Sequence, residues 1–272
     1  MFKYSFLVMA ILLPYLTIAQ HTAKPNAGAK GLSTANANLL HHDVYSLFSN
    51  PAGLAYIDSW QATSFAQNRF LLKELKTVSI GIASPLSTGG VGIKLSSYGF
   101  QQYREQQIGL GYGRQLFDNF SIGATFDWWA TSIPEYGKAS SLTFELGMQY
   151  EVSQQINIGM HLYNPIRAEV IEGEILPTFI AIGLNYQAAD YLVLSTTIEQ
   201  SSITGTSIRM GLEYLVQEKI FLRCGIQTSP LQWNMGLGYR WNDLIINIGM
   251  GFQQVLGLQS AIGVVYKSKN VL

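Results

Sequence analysis

A two-residue alternation of apolar and polar side chains runs through most of this sequence, and it limits the fold more than any other feature. Successive side chains of a β-strand point to opposite faces of the sheet, so an alternating run predicts a strand with one apolar and one polar face. In residues 232–241, polar residues and glycine alternate with Trp233, Met235, Leu237, Tyr239 and Trp241. The pattern recurs from about residue 60 onward and predicts an all-β protein.

Turn-forming residues divide the alternating region into about fourteen runs of roughly ten residues, the length that a tilted strand needs to cross a bilayer. We predict strands near residues 60–70, 75–84, 90–98, 104–115, 119–130, 139–151, 154–163, 177–187, 190–199, 205–216, 219–228, 231–241, 243–252 and 257–267. Several connections after odd-numbered strands look longer than the others, notably Thr131 to Lys138 and Asn164 to Pro177. Tight periplasmic turns alternating with longer external loops are typical of outer-membrane barrels.

The low charge of the chain separates two all-β interpretations. A soluble β-sandwich or lipocalin-like barrel would expose polar faces to water, and roughly a quarter or more of such a surface is charged. Only 12% of the residues here are charged, and the polar faces carry mainly glycine, serine, asparagine and glutamine. Aromatic residues stand at strand ends, as in Trp233 and Trp241 or Trp128 and Tyr150, which suits the interfacial girdles of a membrane barrel.

The fold class that we predict is therefore all-β: a transmembrane antiparallel up-and-down β-barrel of about fourteen strands in the bacterial outer membrane. Outer-membrane lipid is its first expected partner. An even number of strands places both termini in the periplasm. The formal net charge of zero gives no indication of nucleic-acid binding.

Three segments are expected along the chain. Residues 1–19 predict a cleaved signal peptide, because Lys3 precedes an apolar run of about eleven residues that ends in small residues. Residues 20–58 precede the first predicted strand, and residues 59–272 contain the barrel.

The segment before the barrel carries a short motif. A run of small residues, 31–38, is followed by residues 43–48 and then by the turn residues Asn50, Pro51, Ala52, Gly53 and Leu54. Joined to the alternating strands, this arrangement resembles the FadL/PorV superfamily of outer-membrane proteins, in which an Asn-Pro-Ala-Gly-Leu turn precedes the first strand. The resemblance implies that residues 20–58 fold into the barrel lumen as a plug, and we call this segment the hatch.

The turn also has a physical explanation of its own. Pro51 fixes its own φ and pushes Asn50 towards an extended backbone, Gly53 permits a positive φ, and the Asn50 side chain can accept hydrogen bonds from nearby backbone N–H groups. Glycines on the inward strand faces would let the hatch backbone approach the wall closely. A plain periplasmic turn with no plugging role is the alternative interpretation.

Charged side chains on the polar faces predict a polar lumen. The candidate lumen residues are Asp127, Glu145, His161, Arg209, Glu213 and Arg223. On the lipid face, a charge would cost roughly 2–4 kcal/mol near the bilayer midplane. If Val216 and Ile220 flank a three-residue connection, the antiparallel register sets Glu213 opposite Arg223. Cys224 alternates with apolar residues and is expected to face lipid.

The sequence indicates no enzyme. It contains no G-x-S-x-G motif, and no catalytic residue or cofactor is expected. The adjacent His41, His42 and Asp43 lack a further ligand cluster, so they predict a polar hatch surface rather than a metal site.

Two functions stay open. The resemblance to PorV and PorQ implies an accessory or interaction subunit of a protein-export system of the type IX secretion kind, with secretion-system subunits as partners. The alternative is a FadL-like transporter of small hydrophobic molecules across the outer membrane. A transporter needs a surface that collects ligand, and the longest predicted connection, Asn164 to Pro177, offers few apolar side chains. The export role is therefore the main hypothesis.

Overall fold

A computed structural model describes residues 26–171 and 174–268 of the chain. The predicted signal peptide lies outside the described residues. Fourteen strands form a closed antiparallel barrel, in which each strand pairs with its sequence neighbours and the last strand pairs with the first. The predicted up-and-down β-barrel is therefore confirmed. Among the described residues, no helix is long and apolar enough to cross a membrane.

The strand boundaries agree closely with the predicted ones. The barrel strands are β1 (Gln61–Arg69), β2 (Lys76–Leu86), β3 (Gly89–Phe100), β4 (Tyr103–Phe117), β5 (Phe120–Ile133), β6 (Gly137–Glu151), β7 (Ile156–Tyr163), β10 (Phe179–Ala189), β11 (Leu192–Ser201), β12 (Gly205–Val216), β13 (Ile220–Gln227), β14 (Gln232–Trp241), β15 (Leu244–Gln253) and β16 (Gly257–Lys267). A separate small sheet pairs β8 (Glu169–Ile171) with β9 (Glu174–Ile175). The helices are α1 (Gly28–Ser33) and the 3₁₀ helices Val44–Phe48, Pro51–Tyr56 and Lys73–Leu75.

The two faces of the barrel wall differ as the alternation predicts. On β14, Trp233 and Met235 are exposed on the outside, whereas Gln232 and Asn234 are buried in the lumen. Cys224 is exposed, in agreement with its expected outward position. The outside is an apolar band with exposed aromatic side chains near both edges. They include Trp60, Tyr150, Tyr191, Tyr214, Trp241 and Tyr266 near one edge and Phe100, Trp128, Trp233 and Phe252 near the other.

The connections define two ends of the barrel. The turn end carries the start of β1, the end of β16 and short connections such as residues 118–119 and 242–243. The loop end carries the remaining connections. The longest of these is residues 164–178, which contains the small β8–β9 sheet.

One predicted loop is wrong. The connection expected from Thr131 to Lys138 is mostly strand, because β5 and β6 continue their pairing as far as Ile133 and Gly137. Only residues 134–136 connect the two strands. Continued backbone hydrogen bonding beyond the apolar band explains the difference, since a hairpin that leaves the membrane satisfies its polar groups by extending the ladder.

The hatch lies inside the lumen from Asn26 onward, and it supplies most of the largest apolar cluster among the described residues. Val44 and Leu54 are completely buried, and Phe48 packs edge-on against Phe65 of β1 with ring centroids 5.0 Å apart. Burying one large apolar side chain contributes roughly 1.5–3 kcal/mol. The largest apolar cluster among the described residues is therefore a contact between hatch and wall.

The turn at Asn50 has the expected backbone but uses Gly53 differently. Asn50 is extended, with φ −139° and ψ 111°, and its Oδ1 accepts a hydrogen bond from the Ala52 N–H at 3.1 Å. Pro51 then begins a 3₁₀ helix rather than a simple turn. The prediction of a positive φ at Gly53 is wrong. Glycine is needed there for space, because a Cβ at Gly53 would lie 1.9 Å from the carbonyl oxygen of His41.

Inward glycines let this turn touch the wall, as predicted. A Cβ added at Gly123 would lie 2.4 Å from the carbonyl carbon and oxygen of Pro51. Asn50 Nδ2 donates hydrogen bonds to the carbonyl oxygens of Met148 at 3.1 Å and Met160 at 3.2 Å. The backbone of the hatch thus lies directly against the barrel wall, and the space between them is too small for a side chain.

We expect Gly123→Ala to loosen the hatch, because the added methyl group meets the backbone of Pro51, which cannot turn aside. Overpacking of this kind costs about 1–3 kcal/mol, which raises the population of the opened hatch by about 5- to 150-fold. Limited proteolysis of the purified barrel measures the effect as faster cleavage within the hatch.

Gly251→Ala is the matched control for this prediction. Its added Cβ would lie 2.5 Å from Asn234 Oδ1 and Gln232 Nε2, the ends of two flexible side chains that can move. Hatch cleavage in this variant should match that of the unmodified protein. Equal cleavage rates in the two variants would contradict the role of Gly123.

Candidate functional site: cavities on both sides of the hatch

Ionisable side chains form a buried network on the inner wall of β3, β5, β6 and β7. Lys94 Nζ lies 2.5 Å from Glu145 Oε1 and 3.4 Å from Asp127 Oδ1, and His161 Nε2 lies 2.7 Å from Glu145 Oε2. Gln107 Nε2 donates a hydrogen bond to Asp127 Oδ1 at 2.8 Å. All five side chains are buried. Their charges therefore depend on these protein partners rather than on water.

The register predicted for β12 and β13 is confirmed. Glu213 stands opposite Arg223, and Val216 and Ile220 flank the connection. Arg223 Nε donates a hydrogen bond to Glu213 Oε2, and Arg223 Nη1 donates to Asn247 Oδ1 at 2.8 Å. Both charges of the pair lie on the lumen side of the wall.

Arg209 belongs to a third group. Its Nη2 lies 2.8 Å from Glu199 Oε1 on the neighbouring strand, so its partner is not Glu213. The structure places all the candidate lumen residues inside the barrel, but in three separate groups: Asp127, Glu145 and His161; Arg209; and Glu213 with Arg223. Sequence reasoning misses Lys94 and Glu199, which complete two of these groups. Lys94 stands between Ile93 and Leu95, a signal that could have identified it, whereas Glu199 has an apolar neighbour only at Ile198.

The hatch contains its own ion pair. Lys30 Nζ lies 3.0 Å from Asp43 Oδ2, and Asp43 Oδ1 accepts a hydrogen bond from the backbone N–H of Tyr45. Burial raises the pKa of a carboxyl group, but the Lys30 ammonium and the Tyr45 N–H outweigh it and hold the pKa of Asp43 at about 2. Burial and the charge of Lys30 lower the pKa of His41 to about 3. At neutral pH the Lys30–Asp43 pair is charged and His41 is neutral. The neighbouring His42 side chain is exposed.

A cavity of about 340 Å³, which we call the loop-end cavity, lies at the loop end of the lumen. Its floor is formed by the hatch residues Leu32, Ala35 and Asn36. Its walls combine apolar side chains, carboxamides and the ion pair described above: Phe70, Phe179, Ile203, Gln67, Gln232, Gln253, Gln259, Glu199 and Arg209. The volume is at the lower end of the range of ligand-binding pockets, roughly 300–1,000 Å³.

A second cavity, the turn-end cavity, has a volume of about 180 Å³ and lies on the other side of the hatch. Lys30, Thr34 and His41 line it from the hatch, and Asn185 and Glu213 are among the wall residues. The two cavities share no described lining residue. Hatch residues 30–36, which we call the septum, present alternate side chains to the two cavities. One short segment therefore divides the lumen.

Two hydrogen bonds tie the two residues that follow the septum to the wall. Thr197 Oγ1 donates to the carbonyl oxygen of Ala37 at 2.6 Å, and Asn185 Nδ2 donates to Asn38 Oδ1 at 2.9 Å. Each such bond contributes only about 0.5–1.5 kcal/mol net. Displacement of this part of the hatch therefore breaks fewer hydrogen bonds to the wall than removal of the whole hatch.

The barrel wall at the loop end, beside the loop-end cavity, is continuous. Within the described barrel pairings, the register shifts between Gln115 and Phe117 and between Gln187 and Ala189, and both places are at the turn end of a strand. At the loop end, the strands that border the loop-end cavity pair without interruption. A molecule that moves between the two cavities therefore has to pass the septum.

No family model matches the sequence, and no curated protein sequence matches it. Solved structures match the fold. A Pseudomonas aeruginosa FadL homologue has a TM-score of 0.69 at 13% identity, covering 89% of this chain and 98% of that chain. The Ralstonia pickettii toluene transporter TbuX has a TM-score of 0.70 at 10% identity, covering 91% and 100%. The monoaromatic hydrocarbon channel CymD has a TM-score of 0.70 at 10% identity, covering 91% and 99%. At these identities the similarity shows a shared fold.

Proposed function

We propose that this chain, which has the fold of the FadL-type channels, is an outer-membrane channel that takes up small apolar or amphipathic molecules. The observation that carries the proposal is the loop-end cavity, which is closed below by the septum and followed by a second cavity. The shared fold supports it, since TbuX is a toluene transporter and CymD a hydrocarbon channel. The comparisons thus favour transport over the export role.

The route follows from the arrangement of the cavities. A ligand enters the loop-end cavity, the septum moves aside, and the ligand leaves through the turn-end cavity. Ala35 and Asn36 support this order of events, because their φ values of 54° and 52° lie in the left-handed region that costs non-glycine residues conformational energy. Backbone strain of this kind favours movement of the septum over movement of the unstrained parts of the hatch.

A disulfide between hatch and wall tests the route. A Cβ built on Gly211 lies 3.3 Å from Ala37 Cβ, close to the separation of roughly 3.5–4.5 Å in disulfides. Ala37→Cys combined with Gly211→Cys, in a Cys224→Ser background, should form a disulfide that attaches the end of the septum to the wall. Uptake of radiolabelled toluene by cells with an intact lipopolysaccharide leaflet should fall to the level of cells that lack the protein, and a reductant should restore it.

The two single-cysteine variants are the controls, since each carries one added side chain and cannot form the crosslink. Their uptake should not respond to oxidant or reductant. If the oxidised double variant takes up toluene as fast as the reduced one, the septum does not control the passage. The export hypothesis expects that same insensitivity, because an interaction subunit carries no ligand through its lumen. Partnership with secretion-system subunits stays a prediction.

A further inference from the structure

A row of five carboxamides runs along the wall of the loop-end cavity, and we call it the amide row. Asn26 Nδ2 donates to Gln67 Oε1 at 2.8 Å, and Gln67 Nε2 donates to Gln259 Oε1 at 3.2 Å. Gln259 Nε2 donates to Gln232 Oε1 at 3.3 Å, and Gln232 Nε2 donates to Asn234 Oδ1 at 2.7 Å. The row crosses β1, β16 and β14, and four of its members line the cavity.

The amide row keeps hydrogen-bonding capacity for a ligand. A carboxamide has two N–H donors and two acceptor lone pairs, and each inner member of the row uses one of each for its neighbours. Each inner member therefore has a second N–H and a second lone pair that the row itself does not use. A plain hydrocarbon would cover them without offering partners, and loss of water from unpaired amides is unfavourable.

The rest of the cavity limits the ligand further. Apolar side chains, among them Leu32, Phe70 and Phe179, stand beside the amide row. The arginines are already engaged: Arg209 pairs with Glu199 at 2.8 Å, and the Arg69 guanidinium lies 5.8 Å from the centre of the Tyr98 ring. A ligand carboxylate would bring a second negative charge beside Glu199, and Arg209 supplies only one positive charge for the two.

We propose that the loop-end cavity binds uncharged ligands with one edge of hydroxyl, carbonyl or amide groups and an apolar body, in preference to hydrocarbons and carboxylates. The inference rests on the proposed function and narrows its substrate class. The hydroxyl edge contacts the amide row, and the apolar body contacts the side chains beside it.

Three probes that share one aromatic ring test the ligand class: phenyl β-D-glucopyranoside, benzoate and toluene. Isothermal titration of the full barrel in lipid nanodiscs, corrected with empty nanodiscs, measures each affinity. The glucoside should bind at least about tenfold more tightly than either of the others, the ratio expected when even one buried polar contact is lost.

Gln259→Leu interrupts the amide row at its centre. We expect it to weaken glucoside binding by at least about tenfold while toluene binding stays equal or improves. Gln155→Leu is the matched control, because Gln155 is exposed in the connection between β6 and β7 and lines neither cavity, and it should leave glucoside affinity unchanged. Slower migration after boiling on a detergent gel verifies that each variant barrel is folded.

The ranking of the probes on the unmodified protein decides the inference whether or not a variant folds. Tighter binding of toluene or benzoate would overturn the ligand class and leave the channel function standing. Absence of binding by all three would also overturn it. The disulfide experiment on toluene uptake would then show separately whether the proposed channel function fails.

Discussion

Deleting residues 26–57 should turn the closed barrel into a conducting pore. Eight strands leave room only for side chains, whereas barrels of about sixteen strands enclose an aqueous channel. A fourteen-stranded barrel without its hatch is therefore expected to be open. The described hatch supplies residues such as Val44, Leu47 and Leu54 that fill the lumen in the intact protein. Planar-bilayer recordings should show long-lived channel currents for the deletion variant and rare, brief events for the full-length protein.

Gly251→Ala is the control for this experiment, because it alters a lumen glycine without displacing the hatch backbone. It should conduct as little as the unmodified protein. The deletion variant must first migrate faster unboiled than boiled on a detergent gel, as a folded barrel does. A folded deletion variant that stays closed would show that the loops, and not the hatch, seal the lumen.

Replacing Lys94 with methionine should be the most destabilising single change in the wall. The Lys94 ammonium lies against the carboxylates of both Asp127 and Glu145, and all three side chains are buried. Removing one partner of a buried ionic network costs about 3–5 kcal/mol, because the remaining charge has neither water nor a counter-ion. Urea unfolding of the barrel, followed by tryptophan fluorescence, measures the loss of free energy of unfolding.

Lys267→Met is the same substitution at an exposed ion pair and serves as the control. Lys267 Nζ lies 3.0 Å from Asp58 Oδ1, and the two side chains are 50% and 51% exposed. Exposed pairs contribute about 0–1 kcal/mol, so the loss here should be small. Equal losses of free energy of unfolding in the two variants would contradict the stabilising role of Lys94 in the buried ionic network.

The fold and its inside–outside arrangement could be predicted because they depend on local patterns. Alternation sets which face each side chain occupies, and a slip of one residue would send every charge on a strand to the lipid. The contact of Glu213 with Arg223 was accessible for the same reason, since the short connection between Val216 and Ile220 sets the register. The extended backbone at Asn50 likewise depends only on the proline that follows it.

Only the tertiary structure decided which inward side chains meet. Gln67 and Gln259 are 192 residues apart, and they touch because β1 pairs with β16 when the barrel closes. Lys94 reaches Glu145 across the intervening strands β4 and β5. The role of Gly53 depends on where the chain at His41 passes. A period of two residues specifies the face of the strand on which a side chain lies. It specifies neither the height of that side chain in the lumen nor the side chains that it meets across the lumen. The cavities, the septum and the amide row could therefore be identified only in the closed barrel.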